Sequence, residues 1–247
     1  MAACEEARPG PRALAPPTID AIVSIRVFTD GDAVAAAAAE TIAAFLDGEG
    51  PQDLGLAGGT TPGATYRLLS RMPVAWHRVD AWMTDERYVP PDHPDRNAGM
   101  VRMALADLVP IRFHEVPWRD SVHESARRYE RDLAGLLTTG PQGLEPHLVV
   151  LGLGEDGHTA SLFRECPPAD PSRDFIAVEV PGRGWRLTAT YALLARAHHT
   201  LFLVAGDRKA EALTAALAAA SDLPASRVAR EAPDPVWLVD RAAARLL

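Results

Sequence analysis

Short apolar runs rich in β-branched residues alternate along the chain with longer segments whose apolar residues recur every three or four positions. The short runs are typical of β-strands and the longer segments of helices. The runs predict strands over 21–28, 53–57, 79–85, 112–117, 147–154, 174–180, 200–206 and 235–240. The segments predict helices over 32–47, 62–72, 97–108, 121–137 and 207–220, with a short final helix after the last strand.

This alternation predicts the fold class. Strands that alternate with helices form a mostly parallel sheet with helices on both faces. The run HLVVLGLG, residues 147–154, is almost continuously apolar, as in a strand that is buried on both faces. Since no linker or repeat interrupts the pattern, we expect a single α/β domain over residues 18–247. Residues 1–17 are rich in proline and have little to bury, so we expect a flexible N-terminal tail there.

Composition excludes several classes of partner. The net charge of −8 argues against a nucleic-acid surface, which needs a clustered excess of Lys and Arg, although one basic pocket would still bind a phosphorylated metabolite. The N-terminus has no signal-peptide pattern, and no apolar run has the length of a membrane span. Cys4 and Cys166 are in neither a C-x-x-C nor a zinc spacing, which favours a reducing cytoplasm.

The first loop with chemical potential is GGTTP, which follows the strand 53–57. Ligands of open parallel sheets bind at the carboxyl ends of the strands. Gly58 and Gly59 allow the backbone to approach a ligand closely, while Thr60 and Thr61 offer hydroxyls and can cap the helix. The free N–H groups of the helix N-terminus favour an anion. The loop therefore favours a phosphate site, with an ordinary capped turn as the alternative.

A second loop begins with Asp85, Glu86 and Arg87, directly after the strand 79–85, and ends at Asn97. Such a charge run is usually a solvated surface feature. Its position after an apolar strand favours a role at the same edge of the sheet.

The third loop contains Gly152, Gly154 and Gly157 in the spacing G-x-G-x-x-G. A dinucleotide site needs a long helix after the last glycine. Here the helical run TASLF is followed within a few residues by two prolines. Glu155 and Asp156 would also lie where the phosphates must be, with unfavourable like charges. We therefore interpret the glycines as the requirement of a tight turn.

That turn presents His158, two residues after Asp156. A single histidine is more often structural than catalytic. An unperturbed imidazole has a pKa near ~6.5, so a histidine at the edge of the sheet is able to act as a neutral base. Asp156 would orient its ring or contact a substrate.

Two cations complete the candidate set. Arg186 begins the run RLTAT, and Lys209 follows a strand end, where it is able to reach a phosphate on the GGTTP loop. Either residue is alternatively a surface charge. There is no H-E-x-x-H, and the adjacent His198 and His199 do not resemble a ligand set, so we predict no metal site.

These segments, in this order, resemble the 6-phosphogluconolactonase family, a branch of the group that includes glucosamine-6-phosphate isomerase (deaminase). The resemblance covers roughly residues 25–245 and rests on GLAGGTTPGATY, TDERYVPPDHPDRNAGM, GLGEDGHTASLF, RLTAT, VAGDRKA and VWLVDRAAA. It implies a Rossmann-like α/β fold. It also implies hydrolysis of 6-phospho-D-glucono-1,5-lactone to 6-phosphogluconate, the second step of the oxidative pentose phosphate pathway, without a metal or nucleotide cofactor.

The resemblance also implies roles for individual residues. His158 would activate the water that attacks the lactone carbonyl, the GGTTP loop would hold the 6-phosphate with both cations, and the second loop would shape the sugar side. The predicted catalytic residues are His158, Asp156 and Asp85, and the predicted substrate-binding residues are Gly58, Gly59, Thr60, Thr61, Arg87, Asn97, Arg186 and Lys209. We expect a cytoplasmic monomer or homodimer that binds neither nucleic acid nor membrane.

The chain departs from the family pattern at three places. Arg96 stands where the family usually has serine before Asn97, EVPGRGWRLT replaces a Lys- and Pro-rich stretch, and Arg164-Glu165 replaces Pro-Gly after SLF. The last two departures fall in the loop 164–186.

Two other functions are open to such a fold. A sugar-phosphate isomerase or deaminase of this group carries a catalytic glutamate five residues after the histidine, where this chain has Phe163. A non-catalytic sugar-phosphate sensor should carry a helix-turn-helix module, for which the 17-residue tail is too short and too acidic. Both features favour the lactonase.

Overall fold

The structure is a computed structural model that describes residues 24–48, 50, 52–166, 170 and 172–247. Its strands, numbered in chain order, are β1 (Ser24–Phe28), β2 (Gln52–Leu56), β3 (Val79–Met83), β4 (Asp85–Arg87), β5 (Arg112–His114), β6 (Thr138–Gly140), β7 (Gly143–Glu145), β8 (Leu148–Gly152), β9 (Phe175–Val180), β10 (Gly184–Ala189), β11 (His199–Val204) and β12 (Pro235–Asp240). Its α-helices are α1 (Gly31–Phe45), α2 (Thr60–Leu69), α3 (Asn97–Val101), α4 (Val122–Ala134), α5 (Tyr191–Ala195), α6 (Ala210–Leu217) and α7 (Pro224–Glu231).

A parallel sheet forms the centre of the molecule, and its strand order places the site. Within the described part of the chain it has seven strands, in the order β1-β12-β11-β8-β2-β3-β5. From β2 the chain proceeds to β3 and β5 at one edge, and from β8 it proceeds to β11 and β12 on the other side. The strand order therefore reverses between β2 and β8, which pair only at Leu54–Leu148 and Gly55–Val149. Such a reversal opens a crevice at the carboxyl ends of the strands.

The sheet is buried on both faces. Consecutive residues of β8, 148–151, are all fully buried, as are residues 201 and 202 of β11. Since successive side chains point to opposite faces of a strand, helices must cover both sides. The predicted α/β fold with a mostly parallel sheet and helices on both faces is confirmed.

A second sheet, β4-β10-β9, packs beside the first and is antiparallel. The prediction of one strand over 79–85 was wrong here, because β3 ends at Met83. At Thr84 the chain leaves the first sheet: its N–H donates to Leu56 O at 2.9 Å, while its carbonyl accepts from Ala189 N at 2.8 Å in the second sheet. The predicted strand included the polar residues Thr84 and Asp85, and nothing in the local sequence pattern shows that the chain changes sheets there.

Other element predictions also need correction. The hairpin β6–β7 and helix α7 were not predicted. The run TASLF is not helical but forms turns with bridges Thr159–Leu162 and Phe163–Cys166. The helix 97–108 is α3 continued by a π-helical segment, Arg102–Ala106, and the helix 207–220 is a 3-10 turn, Asp207–Lys209, followed by α6.

The remaining predictions concern the two ends of the chain. Residues after β12 form hydrogen-bonded turns in place of the predicted final helix. The predicted tail 1–17 and the start of the domain at residue 18 lie outside the described residues. None of the helices described is long and apolar enough to cross a membrane.

A buried carboxylate links β2 to its neighbours near the opposite, amino-terminal edge of the sheet. Asp53 accepts hydrogen bonds from Trp82 Nε1 at 3.0 Å and from the backbone N–H of His147 at 3.0 Å. Burial raises the pKa of Asp53 to about 6, although both hydrogen bonds oppose the rise. The folded state therefore holds this proton more tightly than the unfolded chain.

We predict that Asp53→Asn removes a pH-dependent loss of stability. Between about pH 4 and pH 6 only the folded state keeps the Asp53 proton, so the wild-type free energy of unfolding decreases as pH rises, by at most about 3 kcal/mol. The difference between Asp53→Asn and wild type, measured by urea unfolding, should grow across this range. In the control variant Asp47→Asn, at an exposed position, the free energy of unfolding should change with pH as it does in wild type. An Asp53→Asn difference that does not change with pH would contradict the prediction.

Candidate active site

A cleft of about 1080 Å³ opens at the carboxyl edge of the sheet, where the strand order reverses. It is lined by loops after β2, β4, β8 and β11 and by the ends of the neighbouring strands. Every residue predicted from the sequence for the site lines this cleft except Arg186. Those that line it are Gly58, Gly59, Thr60, Thr61, Asp85, Arg87, Asn97, Asp156, His158 and Lys209.

The loop after β2 is fixed by its two glycines. Gly59 has φ +117°, a left-handed conformation that side chains disfavour, and a Cβ on Gly58 would overlap the side chain of Asn97. The hydroxyl of Tyr66 in α2 holds the loop, since it donates to Ala57 O and accepts from Ala57 N, both at 3.1 Å. The loop therefore carries the first turn of α2 directly into the cleft.

The sequence suggested that the threonines of this loop cap the helix, but they do not. Gly59 is the N-cap of α2, Thr60 and Thr61 are the first helical residues, and none of the side chains described accepts from the first turn. The N–H groups of an uncapped first turn have no intrahelical partner. Together with the two hydroxyls they form a donor set suited to an anion.

Asp85 lies buried at the floor of the cleft. Its carboxylate accepts a hydrogen bond from Ser161 Oγ at 2.6 Å and a longer one from Asn97 Nδ2 at 3.3 Å. Burial raises the pKa of Asp85, while the Ser161 hydrogen bond and the charges of Arg87 and His158 oppose the rise. The two hydrogen bonds fix the orientation of this carboxyl. Its raised pKa favours the protonated form more than in an exposed aspartate.

Glu86 is not the solvated charge that its sequence context suggested. It is completely buried and accepts N–H donors from Arg87 at 2.8 Å, Asn97 at 2.7 Å and Ala98 at 2.9 Å. The buried guanidinium of Arg96 lies 3.7 Å from it. A carboxylate at the start of a helix satisfies its free N–H groups. Glu86 therefore ties β4 to the start of α3 and places Asn97 beside Asp85.

The loop after β8 is a tight turn that presents His158. The N–H of Gly154 donates to His158 O at 2.8 Å, Gly157 has φ +82°, and a Cβ on Gly154 would overlap the imidazole. No helix follows within 159–166, where the structure shows turns instead. The glycines thus serve a turn that packs against the histidine, and the helix that a dinucleotide site requires is missing from this stretch.

A hydrogen bond between Asp156 and Nδ1 of His158 defines the state of the ring. Partial burial alone would raise the pKa of Asp156, but the hydrogen bond and the charges of His158 and Arg183 outweigh it and lower that pKa. An ionised carboxylate only accepts hydrogen bonds, so Nδ1 must carry the proton. In the neutral ring Nε2 is then the unprotonated nitrogen, as a general base requires.

Lys209 is the only lysine of the chain. It ends the 3-10 turn after β11, and burial lowers its pKa, partly opposed by the charge of Glu155. The turn is anchored by Asp240, whose carboxylate accepts from Gly206 N at 3.0 Å and from Ala243 N at 2.7 Å. The sequence analysis did not identify Asp240. Its sequence signal is that of an acidic residue at the end of a buried strand.

Arg183 and Arg186, both between β9 and α5, have different positions relative to the cleft. Arg186, on β10, is in register with Arg87 of β4 and does not line the cleft. Arg183, which the sequence did not identify, does line it, and its Nη2 lies 3.0 Å from Asp156 Oδ2. In the described part of the chain, no group of three His, Cys, Asp or Glu side chains is arranged to hold a metal ion.

Comparisons with known proteins agree with this geometry. The family model for glucosamine-6-phosphate isomerases/6-phosphogluconolactonase matches residues 30–237. A curated 6-phosphogluconolactonase of Synechocystis sp. is 35% identical over 92% of this chain and 97% of its own length. One of Nostoc sp. is 34% identical over 89% of this chain and 96% of its length. The solved 6-phosphogluconolactonase of Trypanosoma cruzi superposes with a TM-score of 0.82 at 26% identity, over 94% of this chain and 99% of its own.

We predict that Gly154→Ala displaces the imidazole of His158. The new Cβ overlaps the ring, so the turn must distort at a cost of about 1–3 kcal/mol, as for other overpacked sites. Urea unfolding measures the cost, and the His158 ring resonances report the displacement. Gly99→Ala in α3 is the matched control, because its Cβ meets nothing within 4 Å. Equal behaviour of the two variants would show that Gly154 does not support the ring.

Proposed function

Because the chain belongs to the glucosamine-6-phosphate isomerase/6-phosphogluconolactonase family, we propose that it hydrolyses 6-phospho-D-glucono-1,5-lactone to 6-phospho-D-gluconate. This is the second step of the oxidative pentose phosphate pathway. The observation that carries the proposal is the orientation of His158: a histidine with a free Nε2, at the edge of the cleft opposite an anion-binding loop. The curated relatives named 6-phosphogluconolactonase support the same reaction.

In the proposed mechanism His158 acts as a general base. Nε2 takes a proton from a water molecule, whose oxygen attacks the lactone carbonyl and forms a tetrahedral intermediate. The bond from C1 to the ring oxygen then breaks, and the imidazolium returns the proton to that oxygen. Asp156 keeps Nδ1 protonated and stabilises the imidazolium while it exists, because its carboxylate carries the opposite charge.

The 6-phosphate is proposed to bind between the loop after β2 and Lys209. The loop offers the first-turn N–H groups of α2 and the hydroxyls of Thr60 and Thr61, while Lys209 supplies a full positive charge. Arg186, the other predicted phosphate ligand, is not among the residues that line the cleft, although its charge acts on Asp85, which does line it.

The sugar hydroxyls are proposed to contact Asp85, Arg87 and Asn97. Asn97 and Asp85 are fixed to each other by the hydrogen bond between their side chains, and Arg87 Nη1 donates to Asp95 O at 2.5 Å. A preformed set of donors and acceptors orients the ring before attack. We further propose that the reaction needs no metal or nucleotide and takes place in the cytoplasm, in a monomer or homodimer that binds no nucleic acid.

The deaminase alternative lacks a carboxylate at the position that the group uses. Phe163 is 4% exposed and its ring centroid lies 4.4 Å from that of His158. An apolar ring supplies no proton for ring opening or for transfer between adjacent carbons, whereas attack of water on a lactone does not require one at this position. A non-catalytic sensor would not require the orientation of His158.

We predict that His158→Ala lowers kcat on 6-phosphogluconolactone by on the order of 10²–10⁴, the usual contribution of a general base. KM should change little, because the phosphate loop is untouched. The measurement is acid release from fresh lactone, corrected for spontaneous hydrolysis. His123→Ala, outside the cleft, should retain the wild-type rate. A His158→Ala variant with wild-type turnover would restrict His158 to a structural role.

We predict that Lys209→Ala weakens binding of the phosphorylated lactone by about 1.5–3 kcal/mol, or roughly 10- to 100-fold in KM, since a charge-assisted contact is lost. Hydrolysis of unphosphorylated gluconolactone should not change. Arg71→Ala, an exposed cation outside the cleft, is the control. If wild type hydrolyses both lactones equally well, the phosphate site is assigned incorrectly.

A further inference from the structure

Arg183 contacts the proposed catalytic pair from a separate part of the fold. It ends the three-residue turn, 181–183, that joins β9 to β10, and its own N–H donates to Val180 O at 2.9 Å. Gly182 and Gly184 on either side have φ +71° and +70°. The backbone around Arg183 is therefore a closed hairpin turn, and the side chain extends from it to the cleft.

The guanidinium of Arg183 makes two contacts there. Its Nη2 lies 3.0 Å from Asp156 Oδ2, while Asp156 Oδ1 accepts from Nδ1 of His158. Its central carbon lies 5.1 Å from the ring centroid of Phe163, and the centroid of that ring lies 4.4 Å from that of the His158 imidazole. Arg183, Asp156, His158 and Phe163 thus form a closed ring of contacts around the turn after β8.

We propose that Arg183 is a positioning residue for the His158–Asp156 pair. By occupying Oδ2, it leaves Oδ1 of Asp156 directed at Nδ1 of His158. The inference rests on the proposed function of His158. It assigns a role to the loop in which the chain departs from its family, since GRGW stands where a Lys- and Pro-rich stretch is usual.

The exposure of Arg183 limits what this ion pair does for stability. Its side chain is 47% exposed, and an exposed ion pair contributes little to the free energy of folding. Its effect on the reaction is larger, because a reacting group that is misplaced by a fraction of an ångström loses rate steeply. We therefore expect substitution of Arg183 to lower turnover without unfolding the protein.

The charge of Arg183 also acts on the ionisation of the pair. The charged groups that line the cleft with His158 are Asp32, Asp85, Arg87, Glu155, Asp156, Arg183, Arg208, Lys209 and Asp240. Arg183 contacts Asp156 directly, and its charge is one of the causes that lower the pKa of Asp156. Without Arg183 the Asp156 carboxylate is protonated at higher pH, and a protonated carboxyl no longer holds Nδ1 of His158 in the same way. The acid limb of the kcat/KM profile should move to higher pH.

The main alternative for Arg183 is direct contact with the phosphate of the substrate. The two roles differ in kinetics: a phosphate ligand changes KM and the preference for the phosphorylated lactone, whereas a positioning residue changes kcat and the pH profile. Only a positioning residue requires Asp156 for its effect.

The experiment compares Arg183→Leu, Arg183→Lys and the control Arg164→Leu in wild-type and Asp156→Asn backgrounds. Arg164 has an exposed side chain that pairs with Asp222 and does not line the cleft. We expect Arg183→Leu to lower kcat on the order of 10-fold in the wild-type background, with KM almost unchanged. Arg183→Lys should recover part of the rate, and Arg183→Leu should have no effect with Asp156→Asn, because pairs in one network are not additive.

A higher KM with unchanged kcat, or an equal loss in both backgrounds, would overturn the proposal. A measurement without substrate separates this outcome from failure of the proposed function. The ring C–H resonances of His158, recorded by NMR at one pH, should shift in Arg183→Leu relative to wild type and stay unchanged in Arg164→Leu. If the wild type does not accelerate lactone hydrolysis, the proposed function fails while these resonances still test the contact. Unchanged resonances in Arg183→Leu would show that Arg183 does not act on His158.

Discussion

The hydrogen bond between Asp156 and Nδ1 of His158 is the interaction on which the proposed chemistry depends. It determines which nitrogen of the His158 ring is free. The two residues that it joins are only two positions apart in the sequence. Such a local bond needs a backbone that brings both side chains to the same side of the turn. Gly154 and Gly157 supply that backbone, one because a side chain would overlap the imidazole and the other through its positive φ.

The topology of the sheet determines where this turn lies. Since β2 and β8 lie at the point of strand reversal, the loop after β2 and the turn that carries His158 line one cleft. The second sheet closes the crevice from the side: β4 contributes Asp85, and the β9–β10 turn contributes Arg183. The proposed base, its partner Asp156 and the proposed phosphate site therefore follow strands of the first sheet, whereas Asp85 and Arg183 belong to the second.

The sequence predicted the parallel sheet and the strand-end loops because these depend on local patterns. A buried strand such as β8 is apolar at every position, and the loops at strand ends carry the polar residues. The placement of Asp85, Asp156 and His158 in one cleft followed from the rule that carboxyl ends of parallel strands share an edge.

What the sequence did not reveal depends on contacts between distant residues. Glu86 is buried because the start of α3, eleven residues later, returns to it. Arg183 reaches Asp156 across 27 residues. Thr84 transfers the chain between two sheets through hydrogen bonds to Leu56 and Ala189, both of which are distant from it in sequence. Arg186 was predicted as a phosphate ligand from its position at the start of RLTAT and from the family resemblance. In the structure β10 places it in register with Arg87, and Arg186 itself does not line the cleft.

The most direct test of metal-free lactone hydrolysis compares two substrates with the purified protein treated with EDTA. Acid release from fresh 6-phosphogluconolactone is measured against spontaneous hydrolysis, and ammonia release is measured from glucosamine 6-phosphate. We expect rapid, saturable hydrolysis of the lactone and no ammonia. Efficient deamination, or lactone hydrolysis at the spontaneous rate, would contradict the proposed function.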